Sequence, residues 1–172
     1  VGVLRSHGVK VSTTEDYETA LAGATDSDTT VLVINPDTVD QDKRNAMRDA
    51  MKTHGSHIAL VNPGFEVAGY SSRISFASDS VYSNSYPEPS CDFGPAARAG
   101  KVERASGGYQ VLSGSDYDGC YPMDGNAYSL IHMPEGKGSV TVLAEEPWIT
   151  NTALREDGIP HGVAFVLIDC IR

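Results

Sequence analysis

Thr30–Asp37 reads Thr-Val-Leu-Val-Ile-Asn-Pro-Asp: four consecutive apolar residues, three of them β-branched, ended by the turn formers Asn35 and Pro36. An unbroken apolar run of this length between turn residues suits a strand covered on both faces, as in a parallel sheet. His57–Gly64, His-Ile-Ala-Leu-Val-Asn-Pro-Gly, repeats both the form and the Asn-Pro ending. Between them, in Lys43–Thr53, Ala46, Met47, Ala50 and Met51 recur on one face of a helix that Gly55 ends. Strand, helix and twin strand make a βαβ unit, and Thr30–Asp37 is placed at the centre of its sheet.

Working outward, Asp26–Thr29 is a polar turn into the first strand. Tyr17, Ala20, Leu21 and Ala24 precede it at helical spacing, behind a Thr14-Glu15-Asp16 start. Val9 and Val11 alternate with Lys10 and Ser12 as a short half-buried strand, and Val1–His7 reads as the end of a helix stopped by Gly8. Phe65–Tyr70 reads as a helical turn. From Ser71 to Met123 helical periodicity disappears, and Ser, Tyr, Gly and Pro dominate. Ile74–Phe76, Lys101–Ala105 and Tyr109–Leu112 read as short strands, and Gly94–Ala99 as a helical turn. A stretch this long carries structure of its own or a function. Ala127–His132 and Ser139–Ala144 then read as strands joined by a reversal at Gly136-Lys137-Gly138. Pro160–Ile171 reads as an apolar helix with Pro160 at its first position.

These elements predict a single α/β domain over residues 1–172, with an irregular tyrosine-rich excursion over residues 71–123. The apolar content of 40% and charged content of 21% are those of a globular chain. The formal net charge of −10 leaves no basic patch for a nucleic-acid backbone or an anionic membrane surface. No apolar run approaches the roughly 20 residues that span a bilayer. Val1 falls inside a structured pattern, so the chain reads as a fragment of a longer protein.

In open parallel sheets, ligands bind beyond the carboxyl ends of the strands. The segments following the three apolar strands converge there. They nominate Asn35, Asp37, Asn62, Gly64, Glu145 and Asn151 as a candidate pocket. Acids gathered at one edge serve as a general acid/base pair or bind a hard cation. The same residue types also form turns and helix caps. No catalytic residue is assigned, because the elbow at Asn62–Gly64 holds neither Ser nor Cys. The histidines show no metal-binding spacing, and His54 and His57 straddle a helix end, where solvation accounts for them. No nucleotide-binding glycine motif occurs, and no metal or other cofactor is expected. Tyr82, Tyr86, Phe93, Tyr109, Tyr117 and Tyr121 gather in the excursion, where they either bind a sugar, peptide or protein or build a small local core.

Cys91 and Cys120 stand in polar, loop-like surroundings and Cys170 in the apolar final helix. One assignment is a Cys91–Cys120 disulfide that closes the excursion, contributes about 3–4 kcal/mol and implies an oxidising compartment. The other is three reduced thiols.

The ordered set Arg-Ser-His-Gly-Val-Lys-Val (5–11), Thr30–Asp37, His57–Gly64, Pro-Ser-Cys-Asp (89–92), Ala-Ala-Arg-Ala-Gly (96–100), Cys-Tyr-Pro-Met-Asp-Gly (120–125), Val-Thr-Val-Leu-Ala (140–144) and Ile-Thr-Asn-Thr-Ala-Leu (149–154) resembles an actinobacterial membrane-protein family, domain of unknown function 4350. The resemblance implies a three-layer flavodoxin-like sandwich with a mainly parallel central sheet. It is akin to class I glutamine amidotransferase-like domains and to gliding-motility or intraflagellar-transport (GIFT) domains. It implies an extracytoplasmic domain of a cell-membrane protein, anchored by segments outside this fragment, with a protein partner in a membrane-associated complex. The two family cysteines fall on Cys91 and Cys120, which makes the excursion disulfide-stapled. The amidotransferase triad lacks its elbow cysteine here. Gly158–Gly162 also departs from the Gly-Asn-Ala of relatives.

The resulting expectation is a non-catalytic binding or scaffolding module. A hydrolase or amidotransferase-like enzyme working through acids at the sheet edge is the alternative, and a small-ligand sensor with the excursion as lid is a third reading.

Overall fold

The computed structural model describes residues 5–6, 8–34, 40–61, 74–77, 108–112, 116–123, 127–143, 155–156 and 159–160. The twin strands β1, Thr30–Ile34, and β2, His57–Val61, pair in parallel, from Thr30 against His57 to Ile34 against Val61. A third parallel strand, here β7, Gly138–Leu143, lies on the far side of β2, with His57 against Ser139 and Val61 against Leu143. Beyond β7 the sheet turns antiparallel. It takes in β3, Ile74–Ala77, β4, Gly108–Val111, β5, Asp118–Met123, and β6, Ala127–Glu135. The seven strands run β1-β2-β7-β6-β4-β3, with β5 paired to β6 off that path. β6 serves two partners along one edge. Leu130–Glu135 pairs with β7, and Ala127 and Tyr128 with β4, while β5 runs along the opposite edge.

Several expectations are corrected. The sheet is mixed, and the two described helices that pack on it lie on one face, so the three-layer flavodoxin-like sandwich with a mainly parallel sheet is not the observed architecture. The 71–123 excursion contributes β3, β4 and β5 to the sheet itself. β3 and β4 fall where Ile74–Phe76 and Tyr109–Leu112 read as strands, whereas β5 was not expected, its Gly119 and Pro122 being poor strand formers. Thr30–Ile34 is the first strand of the order and not its centre. Val9 and Val11 are half-buried between exposed Lys10 and Ser12, yet they join no described ladder. Pro160 pairs with Arg155 in a short antiparallel pair, β8, Arg155–Glu156, and β9, Ile159–Pro160, rather than starting a helix. The remainder of that expected helix, the 101–105 strand and the 65–70 and 94–99 turns lie outside the described residues.

Two described helices, each capped by an aspartate, pack on the sheet. α1, Tyr17–Ala22, starts where the Asp16 carboxylate accepts from the backbone N–H groups of Glu18 and Thr19. α2, Gln41–Asp49, is capped in the same way by Asp40, which accepts from Lys43 N–H at 2.9 Å. α2 runs on into a π-helical turn, Ala50–His54, which Gly55 ends at φ 78. This left-handed conformation suits glycine and stops the helix, as the sequence implied.

The core lies between this helical layer and two registered rows of the sheet. Val31, Ile58, Val140 and Met133 form one row across β1, β2, β7 and β6, and Val33, Leu60, Val142 and Ile131 form the next. Met47, Ala50 and Met51 close over them, while Ala46, the fourth member of the expected stripe, is exposed. The β6–β7 turn rests on the π-helical turn: Lys137 Nζ donates to Thr53 O at 3.4 Å, and Lys52 meets Glu135 at 3.5 Å. A Cβ on Gly138 would stand 2.0 Å from Ser56 O, so only glycine permits this approach.

Candidate functional site

The parallel strands end level. Ile34, Val61 and Leu143 are successive Cα partners, so the chain leaves β1, β2 and β7 toward Asn35, Asn62 and Ala144 from adjacent points of one edge. β4 takes up the edge of β6 just past the end of β7, since Leu143 opposes Leu130 and Tyr109 opposes Tyr128. The β3–β4 pair therefore borders the carboxyl edge. Tyr109 is fully buried there, and burial pushes its phenol pKa up. The residues nominated from sequence, Asn35, Asp37, Asn62, Gly64, Glu145 and Asn151, lie outside the described residues.

The sheet face away from the helices carries polar groups the sequence reading passed over. His57 Nδ1 lies 2.7 Å from Ser139 Oγ, and His132 Nδ1 lies 2.9 Å from Thr141 Oγ1. Both contacts join Cα partners, so strand register creates them. Ser139 and Thr141 are buried. Burial holds the His132 imidazole below its ordinary pKa; Asp118, its partner on β5, opposes that shift and His57 adds to it. His57 opens β2 and serves this network rather than solvating a helix end. Its bond to Ser139 lies at the amino ends of β2 and β7, away from the edge where α/β sheets bind ligands. The available signal was Ser139 and Thr141 alternating with Val140 and Val142: hydroxyls spaced for one face of an otherwise apolar strand. Among the described residues no group of three or more His, Cys, Asp or Glu is placed to hold a metal ion.

Cys120 sits in β5 opposite Leu130, fully buried, and not in an irregular loop. Cys91 lies outside the described residues, and no disulfide joins two described residues. The expected staple of a separate excursion is thus replaced by a cysteine seated within the sheet. Nearby, Tyr117 is 41% exposed and packs edge-on to Tyr128, with ring centroids 5.9 Å apart. A hydrogen bond with Tyr117, aided by burial, raises the Tyr128 pKa.

A cleft of about 540 Å³ runs between α1 and α2 on the outer side of the helical layer. Leu21, Ala22, Ala46 and Ala50 supply its apolar lining, with Glu18, Asp40, Asp42 and Asp49 among its polar walls. Neither its shape nor its lining was anticipated, because it forms between helices from separate parts of the chain.

With this geometry, the chain is similar in fold to a solved structure described as a cytoplasmic protein from Salmonella typhimurium. The TM-score is 0.57 at 10% sequence identity, over 98% of this chain and 83% of that one. No curated protein matches the sequence. The neighbour is cytoplasmic, and no helix among the described residues is long and apolar enough to cross a membrane. The expected placement as an extracytoplasmic domain of a cell-membrane protein has no support in these findings and is set aside. The ordered motifs along the sequence do find their family: its profile matches residues 1–164, and the chain belongs to the family described as Domain of unknown function (DUF4350).

Proposed function

We propose that the domain is a non-catalytic binding module that receives a protein partner at the carboxyl edge of β1, β2 and β7. The observation that carries this reading is the level ending of the three strands at Ile34, Val61 and Leu143. It starts three polar segments from one edge. Those segments supply three carboxylates, Asp37, Glu145 and Glu146, and three amides, Asn35, Asn62 and Asn151. Carboxylates accept hydrogen bonds and amides both donate and accept them, a set suited to a polar, cation-bearing protein surface. The hydroxyl–imidazole pairs support the same reading, because His57 and His132 are held in cross-strand bonds within the sheet face, His57 at the end opposite that edge.

The test is site-specific photo-crosslinking in the native host, with a benzophenone amino acid at position 37 or 145 and, as control, at exposed Lys10. Discrete protein adducts from positions 37 and 145, absent from the control, are expected. No adduct at either edge position overturns the proposal. So does turnover of an ester or amide by the isolated chain that Asp37→Asn abolishes.

A further inference from the structure

We infer that the groove between α1 and α2 docks a basic, amphipathic peptide segment of a partner protein. This surface belongs to the helical layer and stands apart from the carboxyl-edge reading. Three observations converge on it. Small apolar side chains share the lining with polar ones: Ala22 and Ala46 are exposed and Leu21 half-buried, which leaves room for a peptide to approach closely. At about 540 Å³ the volume lies within the range of ligand clefts. The rim is mainly acidic, with four carboxylates, Glu18, Asp40, Asp42 and Asp49, to the one ammonium of Lys43, which pairs with Asp40 at 3.5 Å.

The occupant follows from that lining. Apolar side chains seat on the alanine floor, and lysines or arginines flanking them meet the rim carboxylates. An acidic or uncharged segment gains the floor but not the rim. The net charge of −10 steers cationic partners toward the domain, and the groove gives them a place to register. The π-helical turn contributes Ala50, Thr53 and His54 to the lower end, and such turns recur at functional sites.

The probe is a fluorescein-labelled dodecapeptide of Lys-Leu-Ala-Lys repeats, titrated with the full chain and read by anisotropy. A Lys-Ser-Ser-Lys analogue of equal charge is titrated beside it. Saturable one-site binding is expected. Asp42→Asn combined with Asp49→Asn, or Ala46→Arg alone, should weaken it about tenfold or more, and the serine analogue should bind correspondingly weakly. Asp28→Asn combined with Asp116→Asn, exposed and outside the groove, should change affinity by less than about twofold. Backbone amide shift mapping on the unaltered chain is the second measurement, independent of any variant's folding, with perturbations expected at Leu21, Ala22, Ala46 and Ala50. Equal weakening by the control pair, equal binding of the serine analogue, or perturbations spread over the surface overturns the inference.

Discussion

The His132 imidazole is depressed first by burial, and Asp118 only partly restores it. In the unfolded chain a histidine titrates near about pH 6.5, so below that pH the unfolded state binds a proton that the folded state resists. This contribution to stability is complete above about pH 6.5 and declines as pH falls through the lowered folded value. His132→Gln is expected to flatten the acid loss, measured by urea unfolding at about pH 7.5 and about pH 5.5. A variant as acid-sensitive as its parent contradicts this. Gly138 makes a second residue-scale prediction. A methyl group there meets Ser56 O at 2.0 Å and Gly55 C at 2.9 Å, backbone atoms that cannot swing aside. Gly138→Ala is expected to cost about 1–3 kcal/mol or more, and an unchanged melting temperature would refute that close approach.

At the scale of elements, α2 and its π-helical turn were legible in the spacing of Met47, Ala50 and Met51 and in Gly55, because helical period and a left-handed stop are local signals. Which stripe residues are buried was not legible: Ala46 falls just outside the face that the sheet covers. Met51→Ala is expected to cost about 2–5 kcal/mol, while Ala46→Gln stays within about 0.5 kcal/mol of the parent. Thermal and denaturant unfolding of the two variants distinguishes them, and equal losses would contradict the burial pattern. The twin strands and the β6–β7 reversal were also legible, the strands from unbroken apolar runs and the reversal from its glycines. The pairing of β3, β4 and β5 was not, because a short strand names neither its partner nor its direction. His57 and Ser139 stand 82 positions apart, and only the parallel register of β2 with β7 brings them together. The candidate edge was legible as a place, since Asn35, Asn62 and Glu145 all follow strands. The α1–α2 groove was invisible because its walls come from helices on either side of β1.

At the scale of the whole molecule, the described helices pack on one face of a mixed sheet whose parallel strands end along one edge. The helical face buries apolar rows and leaves an acidic groove outside. The opposite face is crossed by hydroxyl–imidazole pairs. On the proposed reading the carboxyl edge receives a protein partner, and binding there is the central claim. Hydrogen–deuterium exchange of the full chain, alone and with the partner recovered by crosslinking, tests it most directly. The expected result is slowed exchange in the segments that begin at Asn35, Asn62 and Ala144. Unchanged exchange in all three, with protection confined to other parts of the chain, would contradict it.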